Sequence, residues 1–125
     1  MSGLTLDAGA LIAIDHGKRP ILLLLARAKE NGDAITIPAT ALAQVLRSPA
    51  RQAMVVRLCR QPGTDLRPLD GPDATAVGLM LAASGTADIT DAHVAVCARA
   101  ARQVVITSDA ADIARLAPEL TTIRV

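Results

Sequence analysis

Apolar and polar positions divide the chain into two kinds of segment that alternate along its length. Residues 4–6, 34–37, 65–69, 104–107 and 122–125 are short runs, mostly aliphatic or β-branched, bounded by Gly, Pro, Asp or Asn. Each reads as a strand. Between them, residues 21–30, 39–47, 51–60, 74–83 and 88–101 place apolar residues at helical spacing. The stop signals fit: Asn31-Gly32 closes the first of these helices, Ser48-Pro49 the second, Pro62-Gly63 the third and Ser84-Gly85 the fourth. Pro72 and Asp73 mark the start of the fourth, and the apolar stretch after Asp7 reads as a further helix.

Strands alternating with helices predict a parallel sheet covered on both faces. The expected fold is α/β, a three-layer α/β/α sandwich with about five parallel strands. The whole chain, 1–125, is expected to form one domain, because 125 residues suffice for a sizeable core and no linker, repeat or low-complexity tract divides them.

Composition narrows the classes of function. Hydrophobic residues make up 51% and mean hydropathy is +0.38, which excludes a disordered chain. The longest apolar run, 21–26, is far below the length of a membrane span. The start, MSGLTLDAG, lacks a signal-peptide core, so a cytoplasmic location is expected. Cys59 and Cys97 sit in apolar helical patterns without CxxC spacing and read as free thiols. The chain has no Phe, Tyr or Trp, which removes aromatic base-stacking platforms. Net charge is only +1, but Arg47, Arg51, Arg57 and Arg60 share a segment without acids. That segment is either a solvated helix face or a phosphate-facing patch, with Arg47 and Arg51 as the candidate RNA phosphate contacts.

Four aspartates change the picture most. In open parallel sheets, ligands bind beyond the carboxyl ends of the strands. Asp7 directly follows the first strand in LTLDAGALIA, and Asp109 follows the fourth in VVITSDAADI. The helix opening in TADITDAHVAV must run antiparallel to the strand after it, so Asp88 and Asp91 reach the same edge. At about 4 Å and an effective dielectric near 20, each pair of like charges repels by about 4 kcal/mol. A bound hard cation, Mg²⁺ or Mn²⁺, is the natural compensation for an all-oxygen cluster.

Duller roles compete for each acid. Asp88 fits a helix N-cap, and Asp109 or Asp112 a cap for the short helix after the fourth strand, Asp112 being favoured. Asp7 has little structural reason to stand between two apolar elements, and Asp91 lies inside its helix rather than at the cap. Asp15, Asp33, Asp65, Asp70 and Asp73 read as turn and cap residues. His16 and His93 read as surface or packing residues.

Taken in order, LDAGALIAID, IPATALAQVLR, ADITDAHVAVCARA and VVITSDAADI resemble the PIN-domain ribonucleases, and among them the VapC-type toxins of toxin–antitoxin pairs. The resemblance spans nearly the whole chain. It implies a Mg²⁺- or Mn²⁺-dependent endoribonuclease in which Asp7, Asp91 and Asp109 match metal-ligating acids, with Asp88 as an additional acid. Ser108 would support a metal-bound water or simply form a turn. It further implies an RNA substrate, a homodimer, and a VapB-type antitoxin whose C-terminal segment lies in an apolar groove formed by Leu11, Ile14 and Leu22 to Leu25.

One position departs from the pattern. Where the family usually carries a glutamate in the helix after the second strand, this chain has Gln44. An amide keeps an oxygen ligand, loses a unit of charge and cannot act as a general base. A catalytically weak or inactive member, binding RNA or antitoxin without turnover, is therefore the alternative. A phosphoacceptor receiver domain would need an acceptor aspartate after the third strand, for which Asp70 is a candidate, and a lysine after the fifth, and no lysine follows Lys29; GxGxxG and GxxxxGK[ST] are absent.

Overall fold

The computed structural model describes residues 3–125; Met1 and Ser2 of the expected 1–125 unit lie outside the described residues. All five expected strands form, as β1 (Gly3–Leu6), β2 (Ala34–Pro38), β3 (Thr64–Arg67), β4 (Val104–Thr107) and β5 (Thr122–Arg124). They pair in parallel in the order β3-β2-β1-β4-β5. Among the described residues seven helices cover them: α1 (Ala8–Asp15), α2 (Arg19–Asn31), α3 (Ala39–Val45), α4 (Ala53–Cys59), α5 (Gly71–Ser84), α6 (Ile89–Ala101) and α7 (Ala110–Leu116). The architecture is the expected α/β/α sandwich.

The central strands explain their own composition. Every residue of β1 and β4 is buried, because helices lie over both faces and no solvent side is left to alternate toward. Leu4 aligns with Ile35 on one side and Val104 on the other. The main core joins this sheet to α1–α4 through Leu6, Leu11, Ile14, Ile21, Ile37 and Ile106. A smaller cluster of Val77, Met80, Ala92, Ala95, Val96 and Leu116 joins α5, α6 and α7.

Boundaries moved where caps or prolines overrule periodicity. β3 stops at Arg67, since Pro68 cannot continue the ladder. α5 begins at Gly71, three residues before the expected start, because the Asp70 side chain caps it and Pro72 suits its first turn. Among the described residues no helix is long and apolar enough to cross a membrane.

The strand order reverses direction at β1. From there the chain steps outward to β2 and β3, then returns to place β4 on the opposite side of β1. That switch point opens a crevice beyond the carboxyl ends of β1 and β4. The Asp7 amide extends the ladder one step further by donating to the Ile106 carbonyl at 3.1 Å. Asp7 is thereby fixed at the mouth of the crevice.

Candidate metal centre

Three of the four aspartates cap helices. Asp7 accepts from the Ala10 amide at 2.7 Å and caps α1; Asp88 accepts from the Asp91 amide at 2.9 Å and caps α6. Asp109, not the favoured Asp112, caps α7, accepting from the Asp112 amide at 3.3 Å. Asp7 therefore has the structural role that its sequence context concealed. The same geometry brings helix N-termini to one edge, where their partial positive charge suits anionic groups.

Asp91 has no capping role. Its carboxyl is pushed up to about 6, first by burial and then by the charges of Asp88, Asp112, Asp7 and Asp109. Two segments distant in sequence, around Asp7 and around Asp109 and Asp112, thus act together with the adjoining Asp88 on one carboxyl. Asp88, Asp91 and Asp112 also line a small cleft together with Thr86 and Arg115. The Asp112 carboxyl is raised as well, by its hydrogen bond to Asp109 and by that neighbour's charge.

Asp7 is the most enclosed of these acids, only 6% exposed. Burial raises its pKa, against hydrogen bonds from the Thr107 hydroxyl and the Ala10, Ser108 and Gly9 amides. Thr107 is buried, and its Oγ1 also accepts the Asp109 amide at 2.9 Å, so one hydroxyl links two of the acids. Gly9 lets this arrangement close. A Cβ at that position would stand 2.0 Å from Ser108 Oγ and 3.3 Å from Asp7 Oδ1.

The raised pKa of Asp91 predicts a pH dependence. Its ionised form is penalised in the folded state, so the penalty is absent below about pH 4 and complete above about 6. At full strength that shift is worth about 3 kcal/mol, and solvent screening of a half-buried carboxyl leaves about 2 kcal/mol for metal-free protein to lose over that window. Asp91→Asn is expected to regain about that amount at pH 7 and to flatten the dependence between pH 4 and 6. Urea unfolding in EDTA at several pH values reads both; an asparagine variant less stable than the parent at pH 7 would refute the crowded-carboxylate account.

Gln44 is exposed on α3, one turn beyond Thr40, and α3 packs against α6. Arg47 donates to the Ala43 and Leu46 carbonyls at the end of α3, while Arg51 lies exposed in the turn before α4. The guanidinium that joins the acids is Arg115, one turn along α7 from Asp112 and 3.7 Å from its carboxylate.

Beside the acids lies a buried polar chain that sequence reading dispersed among caps and packing residues. Asp73 is not merely a first-turn residue: Arg67 at the end of β3 grips both its oxygens at 2.8 Å. His93, fully buried, donates from Nε2 to Asp73 at 3.0 Å, leaving Nδ1 to accept the Thr40 hydroxyl at 2.8 Å. The chain thus ties β3, α5, α6 and α3 together. Cys97 completes an Asp73–His93–Cys97 group whose ligand atoms lie within 4.8 Å of one another. Arg67 already neutralises that carboxylate, and burial pushes the Cys97 thiol up to about 12, so the group is complete as an ion-pair network.

Arg67 and then His93 hold Asp73 down at about 2. Its stabilisation is present above about pH 4 and is lost as pH falls toward 2. Asp73→Asn is expected to cost about 3 kcal/mol at pH 7, since it strands Arg67 and removes the acceptor for His93. In chemical unfolding, parent and variant should converge below about pH 3; a constant gap down to pH 2 would contradict the ion pair's role.

No family profile and no curated protein matches the sequence. Solved structures do. A chain of VapBC2 from Rickettsia felis, bound to a DNA fragment from their promoter, superposes with TM-score 0.74 at 16% identity, covering 98% of both chains. A chain of FitAcB from Neisseria gonorrhoeae gives 0.63 at 15% identity, covering 96% of each. FitAB bound to an IR36 DNA fragment gives 0.64 at 14% identity, covering 97% of this chain and 94% of that one.

The fold is the VapC-type PIN fold.

Within this PIN fold, the resemblance read from four short motifs corresponds to a likeness over almost the full chain. Gly9 and Thr107, which shape the crevice, stand inside the quoted motifs LDAG and VVITSD but had no assigned role. A glycine in the first turn of a strand-to-helix junction was the available signal for a close approach. Burial of Thr107 follows from its place at the end of a strand covered on both faces.

Proposed function

We infer that this protein is a metal-dependent endoribonuclease, the toxin of a toxin–antitoxin pair, with the chain 1–125 as one nuclease unit acting in the cytoplasm. One observation carries the reading. Asp91 caps no helix, yet it sits half-buried in the field of Asp7, Asp88, Asp109 and Asp112 at the switch point of the sheet; no three of these carboxylates have oxygens within 4.8 Å of one another, so a cation would have to draw them together.

The donor set suits a hard divalent cation, being made of carboxylate oxygens with helix N-termini rather than basic side chains as their nearest support. Asp7, Asp91, Asp109 and Asp88 would hold Mg²⁺ or Mn²⁺, which supplies Lewis acidity and charge neutralisation at a phosphodiester. The chain's own residues do the positioning. The Ala10 amide anchors the Asp7 carboxylate at 2.7 Å, and Thr107 couples it to the Asp109 loop. Asp91 is ionised at neutral pH and offers its oxygens toward the cleft. Gln44 contributes at most a neutral carbonyl oxygen, which favours a second reading: a weakened or inactive member that binds RNA or antitoxin without turnover.

The antitoxin has a suitable place. An apolar groove of about 590 Å³ is walled by Ile14, Leu22, Leu25, Met54 and Leu58, with Lys29 and Arg57 also lining it. Leu11 does not reach it, being fully buried in the core against the sheet. A VapB-type segment with apolar anchors would seat there. Support for such a partner comes from neighbours of this fold that were solved as VapBC2, FitAcB and FitAB. A homodimer and an RNA substrate complete the proposal.

Calorimetric titration with Mn²⁺ tests the centre directly. Binding is expected for the parent, weakened in Asp7→Asn and weakened below about pH 6, where Asp91 takes up a proton. No binding by the parent at neutral pH would overturn the metal assignment.

A further inference from the structure

The acidic cleft does not end at Asp112. Arg115 and Leu116 line it and also line a neighbouring hollow of about 480 Å³ between α5, α6 and α7. The hollow has two guanidinium groups, Arg99 and Arg115, and the Ser84 residue, beside Leu79, Met80 and Leu116. Leu79 is 68% exposed, the most exposed large aliphatic side chain among the described residues. Asp91, Ala95 and Arg99 follow one i, i+4 ridge of α6, which places Arg99 about 12 Å along the helix axis from Asp91.

We propose that this hollow is a nucleotide subsite, which seats the RNA strand next to the cleavage point with its phosphate on Arg99 and Arg115 and its base against Leu79, Met80 and Leu116. The proposal rests on the nuclease reading and names where that substrate lies. A chain without any aromatic residue cannot stack a base on a ring, so an aliphatic wall beside cations is the surface left to it. An acidic centre repels RNA, and a strand entering it needs neutralisation on its flank. Arg115 stands at the junction of the two clefts and Arg99 beyond it, a line of positive charge leading away from the carboxylates. Glu119 holds Arg99 in an ion pair that is half exposed on both sides. Pairs of that kind are weak and yield to a phosphate.

The test uses a short fluorescein-labelled single-stranded RNA of mixed sequence. Anisotropy is measured in the Asp7→Asn background with Mg²⁺, so that the RNA stays intact, and KM and kcat are measured in the parent background. Arg99→Gln removes the outer cation, and Ala83→Trp fills the hollow from an exposed position without changing charge. Arg99→Gln is expected to weaken binding about fivefold and to reduce the slope of log K against log salt by about 0.7, the signature of one lost phosphate contact on a single strand. Ala83→Trp should weaken binding with the slope unchanged, and both should raise KM with kcat within about twofold of the parent. A parent that cuts RNA while both variants bind and cut as it does would overturn the subsite and leave the nuclease standing. A parent that neither binds nor cuts RNA with any metal would overturn the nuclease reading and the subsite with it. Variants that change the mass in light scattering but not RNA affinity would assign the hollow to a protein contact, and so refute it as a nucleotide site.

Discussion

Asp7→Asn is expected to lower RNA cleavage by about a thousandfold or more while the protein stays folded. The two halves of that expectation have separate physical sources. Asparagine caps a helix as well as aspartate does, so the acceptor for the Ala10 amide at the head of α1 is kept. The buried negative charge disappears, and with it the desolvation that raises the Asp7 pKa; against that, the amide nitrogen cannot accept from the Thr107, Ser108 and Gly9 donors, so stability at pH 7 should change by no more than about 1–2 kcal/mol. What is lost is a unit of charge at the innermost point of the acidic crevice. A thousandfold corresponds to about 4 kcal/mol of the activation barrier, a reasonable share for a buried ligand of a divalent cation. Single-turnover cleavage beside urea unfolding checks both halves. A variant that cuts within a few-fold of the parent would remove Asp7 from the centre.

Gln44→Glu is expected to raise Mn²⁺ affinity and RNA cleavage, each by about tenfold or more. Gln44 is exposed on α3, and glutamine and glutamate have similar helix propensities, so the exchange costs the fold little. It restores a unit charge one turn beyond Thr40, whose hydroxyl pins α3 to His93 on the helix that carries Asp91. Close pairs at an effective dielectric near 20 interact by about 4 kcal/mol, and solvent screening of an exposed side chain reduces this to the order of 1.4 kcal/mol, or tenfold. Parallel Mn²⁺ titration and cleavage assays read the gain. Cleavage that appears only in the variant would mark the natural protein as a scaffold with a disabled site. Unchanged affinity would place position 44 outside the field of the cation.

Much of this architecture is legible in the sequence because its causes are local or periodic. Continuous apolar runs foretold strands buried on both faces, and the parallel arrangement followed from the helices between them. That also sufficed to send Asp7, Asp88, Asp91 and Asp109 to one edge. The roles within the edge were less legible. Whether Asp7 or Asp112 caps a helix depends on which amide a carboxylate meets, and the sequence leaves several amides within one turn. The Arg115–Asp112 pair is local, three residues apart on α7, whereas the place of Arg115 beside Asp88 and Asp91 is set by the packing of α7 on α6. Asp73 and His93 read as a cap and a packing residue because Arg67, their charge partner, lies in a different element. The strand order β3-β2-β1-β4-β5, which places Asp7 and Asp109 on adjacent strand ends, had no signature in the residues.

Cleavage of a mixed RNA pool by the purified, antitoxin-free protein in Mg²⁺, in Mn²⁺ and in EDTA tests the metal centre most directly. Cutting with either cation that stops in EDTA and is lost in Asp7→Asn is the predicted result. Cutting that persists in EDTA, or that survives Asp7→Asn, would contradict a metal centre built on these aspartates.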